Sequence, residues 1–326
     1  MLFLFAATIC AGHFQALAAD GGFVFAKDVP VQVHLADKPL PQWRDGAVVV
    51  FDSSHGADQM GIDIVAGHQR SRLTFAVPGA KRITMRGFSR GTDGTVALCG
   101  GLTDAEGRSG SYVGWISSTG QEVHVIRTSP FVAVLVALAP DGTIWTQGTE
   151  IRPRAPGEPS RQTLAEALKG DAAVFRQFSR SGKLLRTVVP QSEITDPLGL
   201  TATRNVFEAV GDRIVWYSST SRQHISIGAD GAVIVTNDLP MPNNEEVTGG
   251  AIGARGELLA SSVNGSTWSV SRLDLSRKRW VPIANGLMGD RTAPAYRATV
   301  LGSDGDHLVV NGRGGHNAVR FFRVSQ

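Results

Sequence analysis

Ile83-Thr84-Met85-Arg86-Gly87-Phe88-Ser89-Arg90-Gly91-Thr92-Asp93-Gly94-Thr95-Val96-Ala97-Leu98 is the stretch from which the architecture can be read. An apolar-rich run, Ile83 to Ser89, meets Thr92-Asp93-Gly94 and continues as the β-branched run Thr95 to Leu98. Asp-Gly between two such runs marks a tight hairpin, because glycine supplies the positive φ at no steric cost. The same punctuation recurs at Asp45-Gly46, Asp141-Gly142, Gly211-Asp212, Arg255-Gly256 and Asp304-Gly305. Aligned on the second turn residue, the steps are 48, 48, 70, 44 and 49 residues. A strand-turn-strand unit with a period in the forties is the signature of a propeller blade.

Each unit resolves into four short strands. In the second they are Ile83 to Ser89, Thr95 to Leu98, Tyr112 to Ser118 and Glu122 to Thr128, with a second glycine turn at Thr119-Gly120. The long step exceeds the 48-residue period by 22, the length of the stretch 150–171, which reads unlike any strand. That stretch carries Pro153, Pro156 and Pro159, then Thr163 and Glu166 at capping-box spacing, with Leu164 and Leu168 on one face and Gly170 as a stop. It is expected to be an insertion with one short helix, lying between the second and third strands of its blade. The sixth unit ends after three strands, while Phe23 to Leu35 supplies a spare one at the other end. The expected fold is therefore all-β: a six-bladed propeller of four-stranded blades, closed by the N-terminal strand pairing into the last blade and so removing two open edges. A seventh blade would need strands that the chain does not hold.

Met1 to Ala19 carries no charge, holds an apolar run and ends Ala16-Leu17-Ala18, which reads as a secretory signal peptide (1–19) ahead of one domain at 20–326. Ile9 before Cys10 does not suit a lipid-attachment site, and removal of the leader would leave Cys99 as the sole cysteine. The expected location is secreted or periplasmic. No later run approaches the length of a membrane span. Lys and Arg number 32 against 29 Asp and Glu, with no basic cluster, which argues against nucleic acid as a partner. A monomer is expected.

The motifs divide into those whose context fails and those that remain candidates. Gly87-Phe88-Ser89-Arg90-Gly91 matches a nucleophile elbow, but a strand follows where the elbow needs a helix. Asp52, His55 and Asp58, with Asp63 nearby, form the densest set of metal-capable groups; oxygen donors with one imidazole suit a divalent cation such as Ca²⁺, and equally suit a polar turn. Arg86, Glu208 and Arg297 fall on expected innermost strands, where a charge must face channel water, an opposite charge or a ligand. Trp145, Trp216, Trp268 and Trp280 fall within strands and are expected to pack between blades.

Ala139-Pro140-Asp141-Gly142-Thr143-Ile144-Trp145 resembles the repeat motif of the six-bladed propellers grouped as TolB, NHL, streptogramin-lyase and gluconolactonase-like proteins. The resemblance spans most of the chain and implies the fold. Enzymes of that group hold a metal in the central channel, by carboxylate, amide or His ligands from several blades. No such ligand is matched here residue by residue. Two functions follow as expectations: a binding propeller that takes a protein, peptide or glycan at its channel face, or a metal-dependent lactonase- or lyase-like enzyme.

Overall fold

The computed structural model of the protein describes residues 23–30, 39–52, 56–150, 172–196, 199–200, 205–242, 246–287, 298–311 and 318–324. These form 24 strands in six four-stranded antiparallel sheets, and the chain is a six-bladed β-propeller. β1 (Phe23–Pro30) precedes blade 1, which comprises β2 (Gln42–Arg44), β3 (Ala47–Asp52), β4 (Gln59–Ala66) and β5 (Gln69–Ala76). Blade 2 is β6 (Ala80–Arg90), β7 (Val96–Asp104), β8 (Ser109–Ile116) and β9 (Val123–Arg127). Blade 3 is β10 (Phe131–Leu138), β11 (Ile144–Glu150), β12 (Ala173–Phe178) and β13 (Leu184–Pro190). Blade 4 is β14 (Val206–Val210), β15 (Arg213–Ser218), β16 (Gln223–Gly228) and β17 (Val233–Thr236). Blade 5 is β18 (Glu246–Ile252), β19 (Leu258–Asn264), β20 (Thr267–Asp274) and β21 (Arg279–Leu287). Blade 6 is β22 (Thr299–Asp304), β23 (His307–Asn311) and β24 (Ala318–Val324), completed by β1, which runs antiparallel to β24 from Phe23 opposite Val324 to Pro30 opposite Ala318. The ring therefore closes as the sequence indicates. The expected leader (1–19) and nearly all of the expected insertion (150–171) lie outside the described residues; only Glu150 is described, as the last residue of β11.

The hairpin turns explain the period. Gly46, Gly94, Gly142, Gly211, Gly256 and Gly305 all have positive φ, between 56° and 80°. In blades 2, 3 and 5 the turn has one hydrogen-bond pattern, with Gly94, Gly142 and Gly256 donating to Gly91, Ala139 and Gly253. Asp93 and Asp141 brace it from the side chain, each Oδ1 accepting from the amide two residues on, at 2.9 and 2.8 Å.

Burial follows the blade-on-blade packing. Separate apolar clusters form between neighbouring sheets, Phe75, Phe88 and Tyr112 in one and Phe175, Phe207 and Trp216 in another. Trp145, Trp216, Trp268 and Trp280 are at most 8% exposed, as packing between blades requires, while Trp43 and Trp115, also in strands, are half-buried. The Gly87–Gly91 stretch lies at the end of β6 and the turn after it, with Ser89 buried and accepting from the Leu138 amide at 3.2 Å. It is a strand end that clips blade 2 to blade 3.

Candidate functional site

The inner strands β2, β6, β10, β14, β18 and β22 stand around the axis in ring order, each touching the next, with Gln42 on β2 bonded to the Phe88 carbonyl on β6. They enclose a cavity of about 80 Å³ to which every blade contributes, among its lining residues Gln42, Arg86, Leu135, Glu208, Ala251 and Val300. This is room for a few water molecules and no more. At the end of the channel formed by the inner hairpin turns, the walls open into a bowl of about 500 Å³. Turns of five blades shape it, and Arg44, Asp45, Arg255 and Asp304 supply its charge.

One ion pair separates bowl from cavity. Arg44, the last residue of β2, lines the bowl, and Glu208, midway along β14, lines the cavity. The Arg44 guanidinium donates to the Glu208 carboxylate and, at 2.8 Å, to the Ala209 carbonyl. Burial pushes the Glu208 carboxyl above its ordinary value; Arg44 opposes that push and Asp45 adds to it.

Arg86 and Glu208, both expected at the channel, line the same cavity, while Arg297 lies outside the described residues. Arg86 occupies a β-bulge between Met85 and Gly87 and donates to the Ala133 carbonyl of blade 3 at 3.4 Å. Behind it Cys99 is fully buried, its thiol pushed up to about 12 by burial, with Arg86 acting the other way. Sequence reading passed over Arg44, because a three-residue strand ending at a turn gives no inner-strand pattern.

The expected metal set is placed in part. Asp52 closes β3 and accepts from Arg72 Nη2 at 2.8 Å, Asp58 is exposed in the following loop, and His55 lies outside the described residues. Asp63 accepts from Arg70 and from Arg72 Nε, the latter at 2.6 Å. Burial works to raise the Asp63 carboxyl, but hydrogen bonds from Arg72 and Arg70 outweigh it and hold it below its ordinary value. Among the described residues no three His, Cys, Asp or Glu side chains stand together as a metal site.

No protein-family profile and no curated protein sequence matches the chain. Solved structures match it along most of its length. A streptogramin B lyase is 11% identical, covering 93% of this chain and 98% of its own, with a TM-score of 0.46. A protein assigned as a gluconolactonase is 13% identical over 94% and 93%, TM-score 0.49, and TolB from Acinetobacter baumannii is 13% identical over 86% and 63%, TM-score 0.43. Among the described residues no helix is long and apolar enough to cross a membrane.

Proposed function

We propose that this chain is an exported binding propeller, secreted or periplasmic, that takes a protein segment, peptide or glycan in the bowl at the turn-lined mouth of its channel. The observation that carries the reading is the bowl itself. It has the volume of a small-ligand or side-chain pocket, its rim mixes both charges, and its floor is a braced ion pair. Binding is favoured over metal-dependent catalysis by what the candidate ligands already do: Arg72 engages Asp52, and Arg44 engages Glu208. The metal-dependent alternative keeps the loop of Asp52, His55 and Asp58 as its site, with Ca²⁺ as the cation.

A thermal-shift screen of short peptides, oligosaccharides and small carboxylates tests the bowl, run on the wild type and on Ala254→Trp. Ala254 is exposed and lines the bowl, so an indole there is expected to narrow it. Ligands that raise the melting point of the wild type and not of the variant support the reading; hits indifferent to the variant overturn it. A parallel melt in EDTA against added Ca²⁺ is expected to show no difference, and a calcium-dependent rise would return the Asp52 loop to a metal role.

A further inference from the structure

The blade repeat permits a comparison of the junction between blades 2 and 3 with that between blades 3 and 4. At the first, Arg180 sits in the turn between β12 and β13. Its Nη2 donates to Asp93 Oδ2 at 2.7 Å, its Nε faces the Gly142 carbonyl at 3.4 Å, and its guanidinium lies 5.7 Å from the centre of the Trp115 ring. Trp115 Nε1 in turn donates to the Arg180 carbonyl at 2.9 Å. The guanidinium thus fills the crevice between two blades.

The turn between β16 and β17 has the same construction one blade on. Gly182 and Gly231 both have φ of 88°, donating to Ser179 at 2.9 Å and to Gly228 at 2.8 Å. Ser179 and Gly228 each accept that bond and donate to the residue four on, Lys183 and Ala232. The match places Ala229 where the previous blade has Arg180, Asp141 where it has Asp93, and Gln177 where it has Trp115. Arg186 of β13 donates to the Ala229 carbonyl at 3.1 Å, its guanidinium lying over Gly231, but it does not line the crevice, where a pocket of about 400 Å³ opens instead. Trp145, Ile214 and Ile227 are buried and form its floor, while Asp141 and Asp212 are exposed at its rim. Among the described residues Asp141 accepts only from Thr143, and Arg213, the cation on the lining, is turned back to Ser226 Oγ at 2.6 Å.

We infer that this pocket is a binding site for an arginine side chain presented by a partner peptide. The chain's own junction displays the occupant: a planar cation paired with the turn aspartate and lying on a flat group, here the Gln177 amide. The apolar floor suits the three methylenes of the arginine stem, and two carboxylates at the rim suit the fork of donors. The site goes beyond the bowl and does not depend on it, although Gly211 borders both.

The probe is Nα-acetyl-arginine N-methylamide, with the citrulline counterpart as its neutral isostere, titrated into ¹⁵N-tryptophan-labelled protein with the Trp145 indole as reporter. The arginine probe is expected to shift Trp145 with a Kd on the order of 1 mM, and the citrulline probe to bind at least about tenfold more weakly. Asp141→Asn should weaken the arginine probe by a similar factor while leaving the fold intact. Ala229→Arg should abolish binding and raise the melting point, by supplying in cis what the partner supplies in trans. Equal binding of citrulline, undiminished binding to either variant, or no Trp145 shift in the wild type overturns the proposal. So does a Trp145 shift that follows protein concentration without probe, which would make a second copy of the chain the occupant.

Discussion

Arg44 and Glu208 join blades that stand opposite each other in the ring, 164 residues apart in sequence. A tie of this kind resists splaying of the ring in a way that contacts between adjacent blades cannot, since it acts across the diameter. Removing one partner leaves the other charge half-buried beside the axis.

Glu208→Ala is therefore expected to cost on the order of 2 kcal/mol in urea unfolding with an unchanged m-value, and Arg44→Met combined with Glu208→Leu to recover most of it. Because the Glu208 carboxyl is raised in the fold, its contribution favours the folded state at low pH and is lost as pH rises through the raised value. The stability of Glu208→Gln relative to wild type should consequently improve from about pH 4 to pH 7. A difference independent of pH would show that the carboxyl titrates normally.

His224 is expected to make the fold acid-sensitive well above the carboxylate range. Burial, reinforced by Arg213, depresses its imidazole to about 4, and among the described residues its buried Nδ1 meets no hydrogen-bond partner. A depressed value means stability is present above the unfolded value near 6.5 and is lost as pH falls from there toward 4. The loss is bounded at about 3 kcal/mol by the size of the shift. Melting curves between those limits should show it in the wild type and not in His224→Gln.

Glycine substitutions should separate close approach from turn geometry. A Cβ on Gly100 would lie 1.8 Å from the Thr84 carbonyl oxygen, backbone that cannot swing aside, whereas a Cβ on Gly46 (φ +73°) meets nothing within 4 Å. Gly100→Ala is expected to cost roughly 3 kcal/mol or more and Gly46→Ala about 1 kcal/mol, by chemical denaturation. Equal costs would remove the distinction.

Cys99 should report whole-blade opening. Fully buried and with its thiol raised to about 12, it is expected to resist alkylation in the native state and to react only at the rate of unfolding. Labelling that is fast compared with tryptophan-detected unfolding would mean that blades 2 and 3 part locally.

The blades were legible because each depends on local chemistry: a glycine turn, braced by an Asp side chain in blades 2 and 3, between two strand-forming runs, repeated often enough that the copies check one another. Closure was legible too, as a strand missing at one end and spare at the other. The channel charges Glu208 and Arg86 could be placed from strand order alone. Their partners could not, since Arg44 meets Glu208 through the curvature of the whole ring. The engagement of Asp52 by Arg72 was hidden for a similar reason: it spans strands β3 and β5, with β4 between them. The pocket at Ala229 lies between these cases. Ser179-Arg180-Ser181-Gly182 and Gly228-Ala229-Asp230-Gly231 can be aligned by eye, but only the bond pattern shows that one residue's absence opens a crevice.

The pairing of β1 with β24 also sets a timetable. Phe23 and Val324 lie at opposite ends of the described chain, so the ring cannot shut until β24 has been made. Throughout that interval the growing arc of blades presents two raw edges, and the strand that will seal it must stay unspent and extended. A delay in synthesis just before β24 should therefore harm this protein more than one just before β2.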